Sequence, residues 1–193
     1  MQTDMNRQDA MEQVLPQLLE ELQQVLSRVR QEQLDAFAEA VAGAQRVFVF
    51  GAGRVGTASR AFAMRLAQMG KPCHWVPDDT TPAIGPGDLL VANSGSGGSP
   101  STLHVAVQAR KAGAAVATIT ANPDGEISKL AGAVVVLPAK SYKAGGSGRG
   151  SLLPMGSQFE LGLWILHDAL CLTLMRLLGV DEAAMARRHR NLE

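Results

Sequence analysis

The sequence predicts a three-layer α/β/α fold with a five-stranded parallel sheet and an N-terminal helical extension. Short apolar runs alternate with segments of helical periodicity between residues 46 and 137. Strands separated by helices pair in parallel, and such sheets are covered by helices on both faces. Ligands of these folds bind beyond the carboxyl ends of the strands, which is where loops of functional interest are expected.

Composition is typical of a soluble globular protein and bounds the function. Hydrophobic residues make up 46% of the 193 residues and charged residues 19%. Lys plus Arg and Asp plus Glu each number 18, and a net charge of zero argues against a nucleic-acid-binding protein. Cys73 and Cys171 lie far apart in apolar runs, so reduced thiols are expected. The chain begins without a basic and then apolar segment, so we expect no signal peptide and a cytoplasmic location.

The chain divides into three predicted regions: a helical extension (1–43), an α/β domain (44–178) and a helical tail (179–193). Apolar spacing from residue 7 to 42 predicts one long helix or two consecutive helices, with Pro16 at a start or a kink. The extension would pack on its own domain or on another subunit.

The predicted strands are 47–50, 72–76, 89–92, 115–120 and 134–137. The predicted helices of the α/β domain and the tail are 55–69, 103–112, 126–131, 157–178 and 181–190. The helix 157–178 is strongly apolar, but Glu160, His167 and Asp168 argue against a membrane span. Residues 139–153 are rich in Gly, Lys and Ser, which favours a solvated loop and leaves open a lid that closes on a ligand.

The serine-glycine stretch NSGSGGS at residues 93–99 follows the third predicted strand. Glycines let the backbone approach a ligand, and the free N–H groups and dipole of the following helix attract an anion such as phosphate. A tight turn with Ser99 as N-cap and Pro100 as first helical residue is the alternative, but capping does not explain Ser94 or Ser96. The predicted phosphate-binding residues are Ser94, Gly95, Ser96, Gly97, Gly98 and Ser99.

A second glycine-rich turn, GAGRVG at residues 51–56, matches the dinucleotide-binding fingerprint in pattern and context. Asp78 or Asp79 would then be the ribose-binding acid. A single domain leaves no room for a separate substrate domain, and this interpretation leaves the serine loop unexplained. We therefore favour a turn that contacts a sugar phosphate through Gly53, Arg54 and Val55.

Several segments taken together are more specific than either loop: VFVFGAGR at 47–54, RAFAMRL at 60–66, TTPAIG at 80–85, SGSG at 94–97, PMG at 154–156 with FE at 159–160, and HRNLE at 189–193. They resemble the 6-phospho-3-hexuloisomerase family of the sugar isomerase (SIS) domain proteins. The resemblance implies a SIS fold that interconverts D-arabino-hex-3-ulose 6-phosphate and fructose 6-phosphate, in the ribulose monophosphate pathway of formaldehyde fixation. It also implies a homotetramer, and we expect neither a metal nor an organic cofactor.

The resemblance matches Glu160 to the catalytic carboxylate, and one carboxylate can move the proton of an enediol isomerisation. The alternative is a capping box between Ser157 and Glu160, with Met155 and Leu161 as a hydrophobic staple. His189 is the second catalytic candidate, orienting substrate or moving a proton between hydroxyl oxygens in its own or a neighbouring subunit. A surface histidine at a helix C-terminus is equally compatible with the pattern.

Four residues at three places depart from the family pattern. Val55 replaces a serine, Gly98–Ser99 replaces a glutamate–threonine pair, and Arg190 replaces an alanine. Val55 offers no hydroxyl to a substrate, so the residues leave the identity of the phosphorylated ketose open. A non-catalytic sugar-phosphate-binding regulator with the same fold remains an alternative, as does a dinucleotide-binding protein.

Overall fold

The computed structural model describes residues 7–141 and 151–192. Its elements in chain order are α1 (Arg7–Leu26), α2 (Gln31–Gly43), β1 (Val47–Gly51), α3 (Gly53–Gln68), β2 (Cys73–Trp75), β3 (Leu89–Asn93), α4 (Pro100–Lys111), β4 (Ala115–Thr120), α5 (Glu126–Leu130), β5 (Ala133–Val136), a 3-10 turn (Pro154–Gly156), α6 (Ser157–Leu178) and α7 (Glu182–Arg187). The predicted alternation of strands and helices is confirmed.

The five strands form one parallel sheet in the order β2-β1-β3-β4-β5. The chain leaves β1 toward β2 on one side and leaves β3 toward β4 on the other. A crevice opens at the carboxyl ends of two strands whose connections diverge in this way. Because β1 and β3 pair in register from Val47↔Leu89 to Gly51↔Asn93, the loops that follow them begin side by side.

Apolar cores on both faces of the sheet make the three predicted layers. Since side chains alternate along a strand, Val47 and Val49 face one layer while Phe48 faces the other. The first core, beneath α2, α3 and α6, includes Phe37, Val41, Phe62, Leu66, Leu163 and Leu170. The second, beneath α4 and α5, includes Leu90, Ala92, Ala106, Val116 and Ile127.

The helix α6 is the longest element and lies against the first core. Phe159, Leu163, Leu166, Leu170 and Leu174 recur every three or four residues and are at most 4% exposed. In the part of the chain that the structure describes, one helical stretch, Pro154–Leu178, is long and apolar enough to cross a membrane by length and composition. Core helices of soluble proteins meet the same criterion, and this stretch is weak support for a span.

Several helix bounds differ from the expected ones. The N-terminal segment is two helices, and Pro16 lies inside α1 rather than at its start. The helix α4 begins at Pro100 rather than at residue 103, as the alternative with Ser99 at the N-cap position predicts. Proline fixes a helical φ and lacks only an N–H that the first turn does not use. The helix α7 is shorter than the predicted 181–190. Residues 142–150 of the predicted loop and Glu193 of the tail lie outside the described residues.

Candidate functional site

A cleft of about 430 Å³ opens at the carboxyl ends of β1 and β3. It is bounded by the turn before α3, the serine loop before α4 and the first turn of α6. Its lining residues are Ala52, Gly53, Arg54, Val55, Gly95, Ser96, Ser99, Pro100, Ser101, Ser141, Met155, Gly156, Phe159 and Glu160. Both predicted loops and the predicted carboxylate therefore meet in one place.

The turn between β1 and α3 depends on closely packed glycines. A Cβ on Gly56 would lie 2.3 Å from the Gly51 carbonyl oxygen, and Gly53 has a φ of +58°. These glycines make a tight passage from strand to helix, which directs Arg54 and Val55 into the cleft. Asp78, the candidate ribose ligand, does not line this cleft. Its carboxylate accepts hydrogen bonds from the Thr80 amide and hydroxyl, which lower its pKa from the ordinary value.

The hydroxyls of the serine loop are hydrogen-bonded to one another. The Oγ of Ser94 lies 2.9 Å from that of Ser99 and 3.4 Å from that of Ser96, and Ser94 is only 2% exposed. Ser94 thus supports the two cleft-lining serines from behind. Ser99 does occupy the N-cap position of α4, but its side chain makes no capping hydrogen bond to the helix. Capping alone therefore does not account for this hydroxyl.

Gly97 and Gly98 shape the outer part of the loop without lining the cleft. Gly97 has a φ of +68° and packs against Gly125, where an added Cβ would lie 2.7 Å from the Gly97 Cα. The Gly97 carbonyl accepts from the Ile127 amide at 3.0 Å, which ties the loop to α5. Gly98 is exposed, and its amide points toward the Ser96 hydroxyl at 3.4 Å.

Three helix N-termini face the cleft without side-chain caps. The capping positions of α3, α4 and α6 are Ala52, Ser99 and Gly156, and none makes a side-chain hydrogen bond to its helix. Each helix N-terminus carries the equivalent of about half a positive charge, and its free N–H groups are donors for an anion. The first turns of α3 and α4 contain no acidic residue that would compete with such a ligand.

Glu160 pairs with Arg54 across the cleft. The helix α6 begins at Ser157, with Gly156 at the cap and a φ of +85°. The capping-box interpretation is therefore wrong, because Ser157 is the first helical residue and the Glu160 carboxylate accepts from Arg54 Nε. The Glu160 side chain is 15% exposed and that of Arg54 is 68% exposed. The site thus holds an oriented, largely shielded carboxylate that is paired with a largely exposed cation.

A buried polar network supports the serine loop from below. Asn93, the last residue of β3, accepts from the Ile119 amide at 3.0 Å and donates to Ser59 Oγ at 3.1 Å. Asn93 also lies 3.2 Å from His167 Nε2, whose ring stacks on Phe62 at 4.5 Å. Burial lowers the pKa of His167 from 6.5 to about 3, so this ring is neutral and can accept the Asn93 hydrogen bond.

The structure places His189 away from this cleft in its own chain. His189 is exposed and lines a separate cleft of about 400 Å³ together with Arg65, Trp164 and Asp168. Conversely, Ser101 and Ser141 line the serine cleft although sequence reasoning did not select them. Ser101 was missed because it lies in the first turn of α4, just beyond the serine loop. Ser141 was missed because no local spacing connects it to the other residues.

Thiols and acidic groups in the described ranges offer no metal cluster. Across residues 7–141 and 151–192, no group of three His, Cys, Asp or Glu side chains could hold a metal ion. Burial raises the pKa of both Cys73 and Cys171 to about 12, which keeps these thiols protonated.

Comparisons with known proteins point to one family. The SIS domain model matches residues 40–157. The chain is 35% identical over 177 residues to a Bacillus subtilis protein named 3-hexulose-6-phosphate isomerase, covering 92% of this chain and 96% of the relative. It is 40% identical over 174 residues to a Mycobacterium gastri protein of the same name, covering 90% of this chain and 87% of the relative.

A solved structure agrees with these relatives. A Methanococcus jannaschii protein, whose crystal structure was reported to infer a 3-hexulose-6-phosphate isomerase function, is 30% identical. It superposes with a TM-score of 0.81 over 93% of this chain and 99% of that chain. The fold and the position of its loops are therefore shared along nearly the whole length.

The buried His167 predicts that stability falls in mild acid. Below its ordinary pKa of 6.5 the unfolded chain binds a proton that the folded chain, with a His167 pKa of about 3, does not bind. The free energy of unfolding should drop by about 2 kcal/mol between about pH 7.5 and about pH 5 from this group. His167→Gln keeps an acceptor for Asn93 and removes the titration, so urea unfolding of the variant should lack this part of the slope.

The matched control is His104→Gln, which removes an exposed histidine of α4 and should leave the pH dependence unchanged. A His167→Gln variant that loses as much stability in acid as the unaltered protein would contradict the assignment.

Proposed function

Because the chain belongs to the SIS domain family, we propose that it interconverts D-arabino-hex-3-ulose 6-phosphate and fructose 6-phosphate. One observation carries the proposal: three uncapped helix N-termini and the Glu160 carboxylate line the same cleft. The relatives named 3-hexulose-6-phosphate isomerase support this choice of substrate. The reaction would serve formaldehyde fixation by the ribulose monophosphate pathway.

The phosphate group is held at the starts of α3 and α4. The free amides of these two helices and the hydroxyls of Ser96 and Ser99 are donors for its oxygens. Ser94, Gly95, Gly97 and Gly98 shape the loop, and Ser94 positions the Ser99 hydroxyl. Binding at this remote group orients the reacting carbons against Glu160.

Glu160 moves the proton between carbons 2 and 3 of the sugar. Its carboxylate removes the proton from carbon 2, the electron pair forms the double bond of the enediol, and the oxygen on carbon 3 takes up a proton. As the carbonyl forms at carbon 2, the 2-hydroxyl releases a proton that replaces the one taken up by the oxygen on carbon 3, so the transfer between the two oxygens balances. Glu160 returns its own proton to carbon 3. This role requires a shielded, oriented carboxylate, as the Arg54 pair and the 15% exposure of the side chain provide.

Arg54 affects the availability of the Glu160 carboxylate, and Val55 affects how the sugar is held. The exposed guanidinium of Arg54 turns toward the anionic substrate when it binds, which releases the Glu160 carboxylate for proton transfer. Val55 presents an apolar surface at the cleft wall where the family has a hydroxyl, so the sugar is held there by contact rather than by a hydrogen bond.

We also propose a cytoplasmic homo-oligomer, with a tetramer as the expected order. Leu161, Trp164, Ile165 and Leu172 of α6 are between 39% and 65% exposed and recur at helical spacing, as a face covered by a second copy would. His189 would then act in the site of a neighbouring subunit, since it does not line the cleft of its own chain. A monomer in sedimentation would contradict this assembly.

A coupled assay tests the proposed reaction. The hexulose phosphate is generated from formaldehyde and ribulose 5-phosphate by a synthase, the purified protein is added with a chelator present, and fructose 6-phosphate is followed. We expect rapid formation that depends on the added protein. No formation, together with a melting temperature raised by fructose 6-phosphate, would favour the non-catalytic regulator. Stabilisation by NAD or NADP instead would favour the dinucleotide interpretation.

Removing the proposed base should affect turnover more than binding. Glu160→Gln keeps the size of the side chain and removes the proton carrier, so kcat should fall by about 10²–10⁴-fold with little change in KM. The control is Glu126→Gln, which alters another first-turn glutamate that is paired with a basic side chain but lies outside the cleft. Turnover within a few-fold of the unaltered enzyme would show that Glu160 is not the base.

A carboxylate at the serine loop should act oppositely on stability and on binding. Ser99→Asp supplies the missing cap of α4, so the free energy of unfolding should rise by about 0.5–2 kcal/mol. The same charge repels a phosphate, so KM should rise by about tenfold or more. Urea unfolding and steady-state kinetics measure the two effects.

The control places the same cap elsewhere. Arg30 is the N-cap of α2, makes no side-chain capping bond and lies outside the cleft, so Arg30→Asp should stabilise the fold without changing KM. An unaltered KM in Ser99→Asp would exclude the phosphate from the start of α4.

A further inference from the structure

One carboxylate of α1 accepts hydrogen bonds from two distant parts of the chain. Glu21 Oε2 accepts from Ser151 Oγ at 2.6 Å and from Gln158 Nε2 at 3.4 Å, while Oε1 accepts from the Leu152 amide at 2.8 Å. The proposed function assigns no role to Glu21, and the residue lies outside the cleft. A helix that only needed a solvated face would not direct one side chain to three donors.

Gln158 extends these contacts to the other side of residues 142–150. Its Oε1 accepts from the Lys140 amide at 2.8 Å, and the residue is 6% exposed. Lys140, Ser151 and Leu152 are thus joined through Glu21 and Gln158. We call these five residues the clasp. It fixes the separation of the two described chain ends that flank residues 142–150.

The clasp adjoins both halves of the candidate site. Gln158 lies in the first turn of α6, two positions before Glu160. Lys140 precedes Ser141, and a Cβ on Gly95 of the serine loop would lie 2.9 Å from the Ser141 Cβ and 3.1 Å from the Phe159 ring. A displacement at the clasp would therefore be transmitted to the carboxylate and to the wall of the serine loop by close packing.

The docking of α1 itself does not depend on these hydrogen bonds. Leu22 and Val25 of α1 are buried, at 8% and 6% exposure, and α1 packs on α6. Removing the Glu21 carboxylate leaves this apolar contact in place. The polar contacts of Glu21 instead fix the position of the first turn of α6 and of the loop residues Ser151 and Leu152.

We propose that Glu21 and Gln158 are positioning residues that hold the first turn of α6, and with it Glu160, in register with the serine loop. This inference rests on the proposed function, because the position of Glu160 matters for turnover only if Glu160 carries the proton. A displacement of about 1 Å at a reacting group is enough for a large loss of rate. The clasp is thus required for kcat although none of its residues touches the substrate.

The first test compares neighbouring glutamates on α1. Glu21→Ala should lower kcat by about tenfold or more while changing KM less than about threefold, since the helix starts that hold phosphate stay in place. Glu20→Ala is the matched control, because Glu20 is exposed and its carboxylate accepts a hydrogen bond from Gln24 of its own helix. Amide hydrogen exchange at residues 161–164, which donate to the carbonyls of the first turn of α6, should speed up in Glu21→Ala and not in Glu20→Ala.

The second test exchanges the two partners. Gln158→Glu alone places a carboxylate against Glu21 and should lower kcat by about tenfold. In Glu21→Gln/Gln158→Glu, the new amide at position 21 donates to the new carboxylate at position 158, which still accepts from the Lys140 amide. The double variant should therefore regain most of the lost kcat, which a simple loss of stability would not produce.

The outcomes separate the clasp from the proposed function. Full kcat in Glu21→Ala, with turnover abolished by Glu160→Gln, would overturn the clasp and leave the isomerase intact. A parallel rise in KM and fall in melting temperature without rescue by the double variant would also overturn it. If the unaltered protein does not isomerise the sugar, the proposed function fails. Unchanged exchange at residues 161–164 in Glu21→Ala would overturn the clasp independently.

Discussion

The pairing of β1 with β3 is the constraint on which the site depends. It aligns Gly51 with Asn93 at the carboxyl ends of two neighbouring strands, so the glycine turn and the serine loop start side by side. The helices α3 and α4 then lie on opposite faces of the sheet, yet both begin at the same edge. Asn93 holds this edge through Ser59, Ile119 and His167, which come from three other elements. Two helix N-termini therefore converge at one edge, although their helices lie on opposite faces of the sheet.

Leaving these helix starts uncapped has an energetic consequence. A side-chain cap contributes about 1 kcal/mol to a helix, and α3, α4 and α6 all forgo it at the cleft. Ser99 has the right chemistry to cap α4, but its hydroxyl is held by Ser94 instead. A bound phosphate would supply the acceptors that the protein withholds. Stability is thus reduced where binding needs unsatisfied donors, as in other sites where function and stability compete.

The sequence predicts the parts of this arrangement that depend on local patterns. Apolar runs predicted the strands, and the glycines and hydroxyls of residues 93–99 predicted a loop of functional interest, which does border the cleft. The bounds predicted for α6 are correct, but the capping box is wrong, because Gly156 in the left-handed region occupies the cap position and Ser157 is the first helical residue. The contacts of Asn93 with His167 and of Glu21 with Gln158 join residues far apart in sequence, and no periodicity encodes them. Tertiary packing alone brings these side chains together.

The uncapped first turn of α6 and the hydrogen bonds that Gln158 makes outside the helix explain each other. The first turn of α6 carries Glu160. The two residues before the helix, Met155 and Gly156, have positive φ, and no side chain caps the turn. Helix ends of this kind fray, because no side chain caps the first turn and the neighbouring Met155 has a strained, left-handed backbone conformation. As the proposed base, Glu160 must be placed to within a fraction of an ångström, so its turn must not fray. Since a cap would occupy the donors that face the cleft, the turn is better held from outside, and the hydrogen bonds of Gln158 to Glu21 and Lys140 are placed to do so.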